Sequence, residues 1–199
     1  MSRSSDRECA RDCGFLTGKW IGTIIFTTIF ALIVVFGFIK PKEIKFHVTD
    51  ATLADFNLNT TTNTLYYDLA LNITISNPNK HISVDFKRIE ARAYYEDKMF
   101  DSVTMTPFFL GHKKNYTLSP VFKGQTIVML GSSELAQYNS DKRSGIYHIA
   151  VKLHHRSTTK ADGIDPTTIN SVVKCDFKVP LLSNGTMFAT FQVTKCSRF

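Results

Sequence analysis

Four asparagines occupy the pattern Asn-x-Ser/Thr, the sequon whose side-chain amide receives an N-linked glycan in the secretory pathway. They are Asn59, Asn72, Asn115 and Asn184. Chance alone would give roughly two matches in a chain with this much Asn, Ser and Thr. All four sequons follow the longest apolar segment of the chain, so they predict glycosylation of the part that lies after that segment.

The four cysteines fall into two pairs, one on each side of the apolar segment. Cys175 and Cys196 share the sequon side, where an oxidising compartment allows a disulfide that closes a C-terminal hairpin. Cys175 alternates with apolar residues, whereas Cys196 is out of phase with its own predicted strand, so the bond requires a bulge or bend near Lys195. Cys9 and Cys13 are four residues apart near the other end of the segment, where they are candidate palmitoylation sites or plain reduced thiols.

Motifs of the common enzyme classes are missing from the sequence. It contains no Gly-Lys-Ser/Thr phosphate loop, no Gly-x-Ser-x-Gly turn, no His-Glu-x-x-His and no Asp-x-Asp. His154 and His155 are adjacent on a predicted strand, so their side chains point to opposite faces and cannot bind one ion together. We therefore expect no enzyme activity, no cofactor and no metal site.

The element that positions the sequons and cysteines relative to a membrane is the apolar segment 20–39. It carries no charge, is flanked by Lys19 and Lys40, and begins with Trp20. Twenty helical residues span about 30 Å, the thickness of the hydrocarbon core of a bilayer. The segment is longer than the apolar part of a signal peptide and no cleavage site follows it. It predicts a single transmembrane signal-anchor helix between a cytosolic tail (1–19) and an extracytoplasmic domain (40–199).

Charge alone does not orient this helix. Four basic residues precede the segment and three follow it closely: Arg3, Arg7, Arg11 and Lys19, against Lys40, Lys42 and Lys45. The sequons and the shortness of the tail favour a cytosolic N-terminus and an outer C-terminal domain that enters the secretory pathway. Gly14, Gly18 and Gly22 recur every fourth residue, which is a candidate helix-packing seam for a homo-oligomer or a chance pattern.

Period-two alternation dominates the outer segment and predicts strands. In residues 65–76 the odd positions are apolar and most even positions are polar. Further strands are predicted at 44–49, 82–95, 99–105, 115–122, 125–130, 145–154, 173–179 and 187–195. Only 132–139 has a helical pattern, with Ser132 or Ser133 as its N-cap. The sequence therefore predicts an all-β sandwich of about seven strands with one short helix.

The net charge of +7 is not concentrated in one stretch. The basic residues of the outer segment occur singly or in pairs, as in Lys87-Arg88 and Lys142-Arg143. Nucleic-acid binding would require a clustered stripe, so a solvated surface without nucleic acid is predicted. Acidic wall polysaccharide and anionic lipid head groups stay open as partners, beside proteins.

Several ordered motifs resemble one family of plant proteins. They are IKFHVTDATL (44–53), LNITISNPNK (71–80), IEARAYY (89–95), TPFF (106–109), GHK (111–113), GQ (124–125), CDFKVPL (175–181) and KC (195–196). In this order they resemble the NDR/HIN-like (NHL, harpin-induced-like) proteins over the whole chain from the apolar segment onward. Phe86 stands where many relatives have tyrosine, and the basic stretch at 154–156 is broken by Ser157.

The resemblance implies a late-embryogenesis-abundant group-2 domain, also named the water-stress and hypersensitive-response domain, with an immunoglobulin- or fibronectin-like sandwich. It also implies a plasma-membrane protein of defence, stress and senescence responses, and it brings no catalytic residues. The first hypothesis is thus a non-enzymatic, membrane-anchored interaction module. The second is a lipid-binding or lipid-transfer module at the membrane surface, and a Golgi-type enzyme is disfavoured by the missing motifs.

Overall fold

The computed structural model describes residues 20–33, 41–161, 164–182 and 191–198. The chain divides into two compact units, Met1–Pro41 and Lys42–Phe199. In the first unit, residues 20–33 form a helix, α1, with apolar side chains on its surface. Within the described residues, no helix has both the length and the apolar character needed to cross a membrane. Residues 34–39 of the predicted span, Cys9, Cys13, Gly14 and Gly18 lie outside the described residues.

The second unit is built almost entirely from strands, because alternating apolar residues recur along most of its length. Its elements in chain order are β1 (Lys45–Asn59), β2 (Thr64–Ser76), β3 (Ile82–Tyr95), β4 (Lys98–Met105), β5 (Phe108–Leu110), β6 (Asn115–Leu118), β7 (Val121–Ile127), α2 (Ser132–Ser144), β8 (Ile146–Ala161), β9 (Ile164–Pro180), β10 (Thr194–Lys195) and β11 (Ser197–Arg198).

These strands form two antiparallel sheets. The first sheet has the order β10-β1-β2-β6, with β7 also paired to β2; the second has the order β11-β9-β8-β3-β4, with β5 paired to β3. Each sheet buries one face, as Leu69 and Ile73 of the first and Ala91 and Val151 of the second show by their complete burial. The buried faces form one apolar core, as expected for the all-β sandwich.

Several predicted strand positions need correction. β8 continues to Ala161, beyond the predicted 154, and β9 begins at Ile164, before the predicted 173. The predicted set also lacks β5 and β11. The strand expected at 44–49 continues to Asn59, and the one at 115–122 is two strands separated at Ser119 and Pro120. Pro120 has no N–H for a ladder, but its carbonyl accepts a hydrogen bond from Leu71 N at 3.1 Å. The strand expected at 125–130 ends at Ile127.

Another correction concerns the predicted strand at 187–195. Residues 191–193 are not in a strand, 194–195 form β10, and 187–190 lie outside the described residues. The described residues hold eleven strands instead of about seven. Strands of two or three residues, such as β5 and β10, are too short to show a period.

Helix α2 is longer than the predicted 132–139, and its N-cap is Gly131 instead of a serine. The Glu134 carboxylate accepts a hydrogen bond from Gly131 N at 2.7 Å. Polar residues fill the last turns, so the apolar pattern ends before the helix does. Tyr138 docks the helix, since its hydroxyl accepts a hydrogen bond from Leu58 N at 2.8 Å.

Candidate functional site

The outer face of the first sheet carries the described sequons. Asn72 lies on β2 between two buried residues, Asn115 is exposed on β6, and Asn59 is exposed at the end of β1. Ser119 Oγ donates a hydrogen bond to Asn72 Oδ1 at 2.8 Å. Asn184 lies outside the described residues. We call this surface the sequon face.

The two sequons on β2 and β6 meet through their threonines. The hydroxyls of Thr74 and Thr117 are 3.4 Å apart, and Thr49 on β1 extends the row with its hydroxyl 3.3 Å from that of Thr74. Such threonine pairs stabilise adjacent strands without charge. From strand spacings, the Cα atoms of Asn72 and Asn115 are about 14 Å apart, so both could carry glycans that cover this face.

The outer face of the second sheet holds rows of like charge. In the first row Arg92 on β3 is the register partner of Lys152 on β8, and Lys152 is the partner of Lys174 on β9. In the second row Arg88 is the partner of Arg156. Like charges directly opposite each other destabilise a sheet. We call the surface formed by these five side chains the cationic face.

Two carboxylates partly neutralise the cationic face. Glu90 accepts hydrogen bonds from Arg92 at 2.8 Å and 3.2 Å, and lies 3.9 Å from the Arg88 guanidinium. The hydrogen bond from Arg92 lowers the pKa of Glu90. Asp176 is 3.1 Å from Lys174 Nζ, and Lys152 Nζ lies 4.3 Å from the Tyr94 ring centre. Five cations against two carboxylates leave this face positively charged.

A cleft of about 640 Å³ lies between the two rows. The cleft is lined by Arg88 and Arg156 of the second row and by Arg92 of the first. Glu90, His154 and Asn170 also line it. His154 Nε2 is buried and has no hydrogen-bonding partner among the described residues. Burial, followed by the charge of Arg92, lowers the pKa of His154. The cleft can accept an anion from solvent without displacing the core.

His155 lies on the opposite face of β8, as the sequence predicts. Its ring is 5.9 Å from that of Phe46 and 5.2 Å from that of Phe86, inside the sandwich. Burial, with a smaller effect of Arg198, lowers the pKa of His155 to about 4. The ring is therefore neutral near pH 7 and serves as part of the aromatic core.

A second cleft, of about 710 Å³, lies beside the start of β1. It is lined by Ile44, Phe46, Pro78 and Val173 together with Lys42, Lys45, Lys195 and Arg198. Among the described residues that line it, Glu43 supplies the one carboxylate. We call it the N-terminal cleft. Apolar walls with several cations could receive an anionic amphiphile.

The structure brings Cys175 and Cys196 together in a disulfide with an S–S distance of 2.03 Å. Cys196 falls between β10, which pairs with the first sheet, and β11, which pairs with the second. The predicted bend near Lys195 is therefore the point at which the chain crosses between sheets. Cys196 N also donates a hydrogen bond to Phe46 O at 2.9 Å.

Comparison with known proteins identifies the family. No family model matches the chain. The chain is 42% identical over 150 residues to NDR1/HIN1-like protein 10 of Arabidopsis thaliana. This match covers 74% of this chain and 66% of that protein. It is 39% identical over 197 residues to NDR1/HIN1-like protein 3 of the same species, covering 94% of this chain and 85% of that protein. The chain belongs to the NDR1/HIN1-like family.

The family resemblance predicted from the motifs is thus confirmed, and NDR1/HIN1-like proteins are plant proteins related to defence and stress. Among solved structures, the chain is similar to a late embryogenesis abundant protein at 16% identity and a TM-score of 0.33, over 69% of this chain and 74% of that one.

One feature of this NDR1/HIN1-like chain, the cationic face, escapes sequence reasoning. The cations of the cationic face are dispersed along the sequence, and only strand register places them in rows. The signal that could have revealed them is the shared outward phase of Arg88, Arg92, Lys152, Arg156 and Lys174. In the described residues, no three His, Cys, Asp or Glu side chains lie close enough to hold a metal ion.

Proposed function

We propose that this NDR1/HIN1-like chain is a non-enzymatic, single-pass plasma-membrane protein acting in plant defence, stress and senescence responses. Its N-terminus is cytosolic, and its outer domain, 40–199, is an interaction module with an immunoglobulin-like sandwich. The uncharged segment 20–39 provides the anchor in this proposal. The disulfide between Cys175 and Cys196 is in keeping with an oxidising compartment.

The observation that carries the proposal is the difference between the two outer faces. All three described sequons lie on the first sheet, and the cationic face of the second sheet has none. A glycosylated domain that leaves one charged face uncovered is suited to bind a partner through that face. Catalysis would instead require converging nucleophiles, acids and bases.

Glycan mapping of the full chain expressed in plant cells tests the topology. Endoglycosidase treatment should increase its gel mobility, and Asn72→Gln and Asn115→Gln should each remove one step of that shift. Asn170→Gln is the matched control, because Asn170 is exposed on the second sheet but outside any sequon. A chain without glycans, whose C-terminal domain is digested by protease added to intact microsomes, would contradict the proposal.

The N-terminal cleft favours a second candidate function, lipid binding or transfer at the membrane surface. Apolar Phe46 and Val173 line it beside the cations Lys45 and Arg198, as a lipid with an anionic head group requires. The full chain in donor vesicles should then speed transfer of a fluorescent anionic lipid to acceptor vesicles. Lys45→Gln should slow this transfer, whereas Lys123→Gln on the first sheet should not; transfer at the protein-free rate would rule this function out.

A further inference from the structure

We propose that the cationic face binds an acidic polysaccharide, a linear polymer of sugar carboxylates that lies across strands β3, β8 and β9. The inference rests on the proposed function, because it requires the domain to be outside the cell. It goes further by naming the surface and the chemical class of the partner.

The first argument is electrostatic. Arg92, Lys152 and Lys174 are direct cross-strand neighbours, and so are Arg88 and Arg156. A sheet that served only as scaffold would be more stable with opposite charges or threonines at these positions, as the sequon face has in Thr74 and Thr117. A bound polyanion removes the repulsion, so the like-charge rows are suited to a ligand with several negative charges.

The second argument is the geometry of the rows. Neighbouring strands are about 4.8 Å apart and successive residues about 3.3 Å, so three cations span about 10 Å across the sheet and the two rows are about 13 Å apart along β8. From Arg88 to Arg92 the pairing of β3 with β8 has no register shift, so these spacings hold between the two rows. A ligand with evenly repeated carboxylates matches this arrangement better than a surface of irregular charge does.

The third argument is that this face already holds a carboxylate. Both oxygens of Glu90 accept hydrogen bonds from Arg92, at 2.8 Å and 3.2 Å. Arg156 is exposed on the same side, and Arg88 is 76% exposed. His154 Nε2 beside them is buried without a partner in the described part of the chain. Ligand carboxylates could bind the exposed guanidinium groups as Glu90 binds Arg92.

The fourth argument separates a polysaccharide from a lipid surface. A face that docks on a membrane presents large apolar side chains between its cations. At the centre of the cationic face the apolar position is the half-buried Val172. The most exposed large apolar side chains of the second unit, Ile127 and Met129, are in or after β7 of the first sheet.

Binding to polygalacturonate tests the proposal. The full chain in phosphatidylcholine nanodiscs should bind this polymer, and binding should weaken as salt is added, because salt screens exposed charges. Fully methyl-esterified polymer, which lacks the charges, should not bind. Lys152→Gln/Lys174→Gln should weaken binding about tenfold, because two half-buried cations of the first row lose their ion pairs with the polymer.

The matched control is Lys113→Gln/Lys114→Gln, which removes the same charge from an exposed turn before β6. It should change the affinity less than about twofold. Equal loss in both double variants would show that net charge, not this face, determines binding, and would overturn the proposal. Unchanged thermal unfolding of each variant verifies that the fold is kept.

Three other outcomes would also overturn it. They are no binding of polygalacturonate by the glycosylated chain, equal binding of polyglutamate, and tighter binding to nanodiscs with anionic lipid that Lys152→Gln/Lys174→Gln abolishes. The last two would assign the face to acidic proteins or to membranes. If polygalacturonate does not bind, the result of the glycan mapping still stands and the proposed function is not rejected. If the glycan mapping shows an unglycosylated, cytosolic domain, the proposed function itself is rejected.

Discussion

The two sheets of the sandwich share an inner core but differ at equivalent outward positions. On the first sheet, the cross-strand pair Thr74 and Thr117 is neutral and belongs to two sequons. On the second sheet, Arg88 and Arg156 oppose each other, and Lys152 has a cation on both sides. Inner faces are constrained by packing, so the difference between outer faces indicates what each face does. The first is suited to glycans and the second to an anionic partner.

The largest effect should come from making the second face resemble the first. Val172→Thr creates a sequon at Asn170, which is exposed at the end of the second row, beside its register partner Arg156. We expect a new glycan there, and loss of polygalacturonate binding to background, because the sugar covers both rows. Gel mobility and binding of the plant-expressed chain check this. Asn170→Gln/Val172→Thr, which cannot be glycosylated, should restore binding; if it does not, the glycan is not the cause.

A smaller effect should follow from separating the two sheets at their shared edge. The disulfide joins residues 21 apart in sequence, so Cys175→Ala/Cys196→Ala should lower the free energy of unfolding by about 3 kcal/mol. Denaturant unfolding measures this. Hydrogen exchange should rise in β10 and β11 first, and a uniform rise over both sheets would contradict the assignment of the bond to this edge.

The two faces of strand β8 can be compared through its adjacent histidines, His155 on the inner face and His154 on the outer face. Burial lowers the pKa of His155 to about 4 in the folded protein. Below the usual pKa of histidine, the unfolded chain therefore binds more protons than the folded chain does. Stability should therefore fall as the pH drops from 7.5 to 5, with about 2 kcal/mol due to this residue. His155→Phe should reduce that loss in pH-dependent denaturant unfolding. His154→Gln, on the outer face, should show a smaller change, and the reverse ranking would contradict the inward placement.

The smallest effect should come from relieving the repulsion between Arg88 and Arg156. Replacing Arg156 with threonine (Arg156→Thr) removes one side of the Arg88–Arg156 opposition. The free energy of unfolding should increase by about 0.5 kcal/mol at low salt, and the gain should shrink at high salt. Thermal unfolding at two salt concentrations measures both. Lys113→Thr should give no such gain, and a loss of stability in Arg156→Thr would show that the opposed pair is not repulsive.

Much of the fold follows from local pattern. Alternation in residues 65–76 predicts β2 because each strand residue alternates between core and solvent, and the structure has this strand. The predicted helix at 132–139 is too short, because Asn139–Ser144 are polar and show no apolar period. One of them, Asp141, is nevertheless buried and accepts a hydrogen bond from the Tyr95 hydroxyl at 2.9 Å. The edge strands β10 and β11 have two residues each, too few for any periodicity.

The sequence by itself determined the family, the all-β class, the opposite orientation of His154 and His155, and the positions of the sequons. These depend on residue type and on a period of two, which are local properties. Only the tertiary structure decided which outward residues become neighbours. Arg92, Lys152 and Lys174 are distant in the chain, and the pairing of β3, β8 and β9 sets them side by side. Register depends on core packing and turns across the whole sheet, so no local stretch of sequence could specify the cationic face.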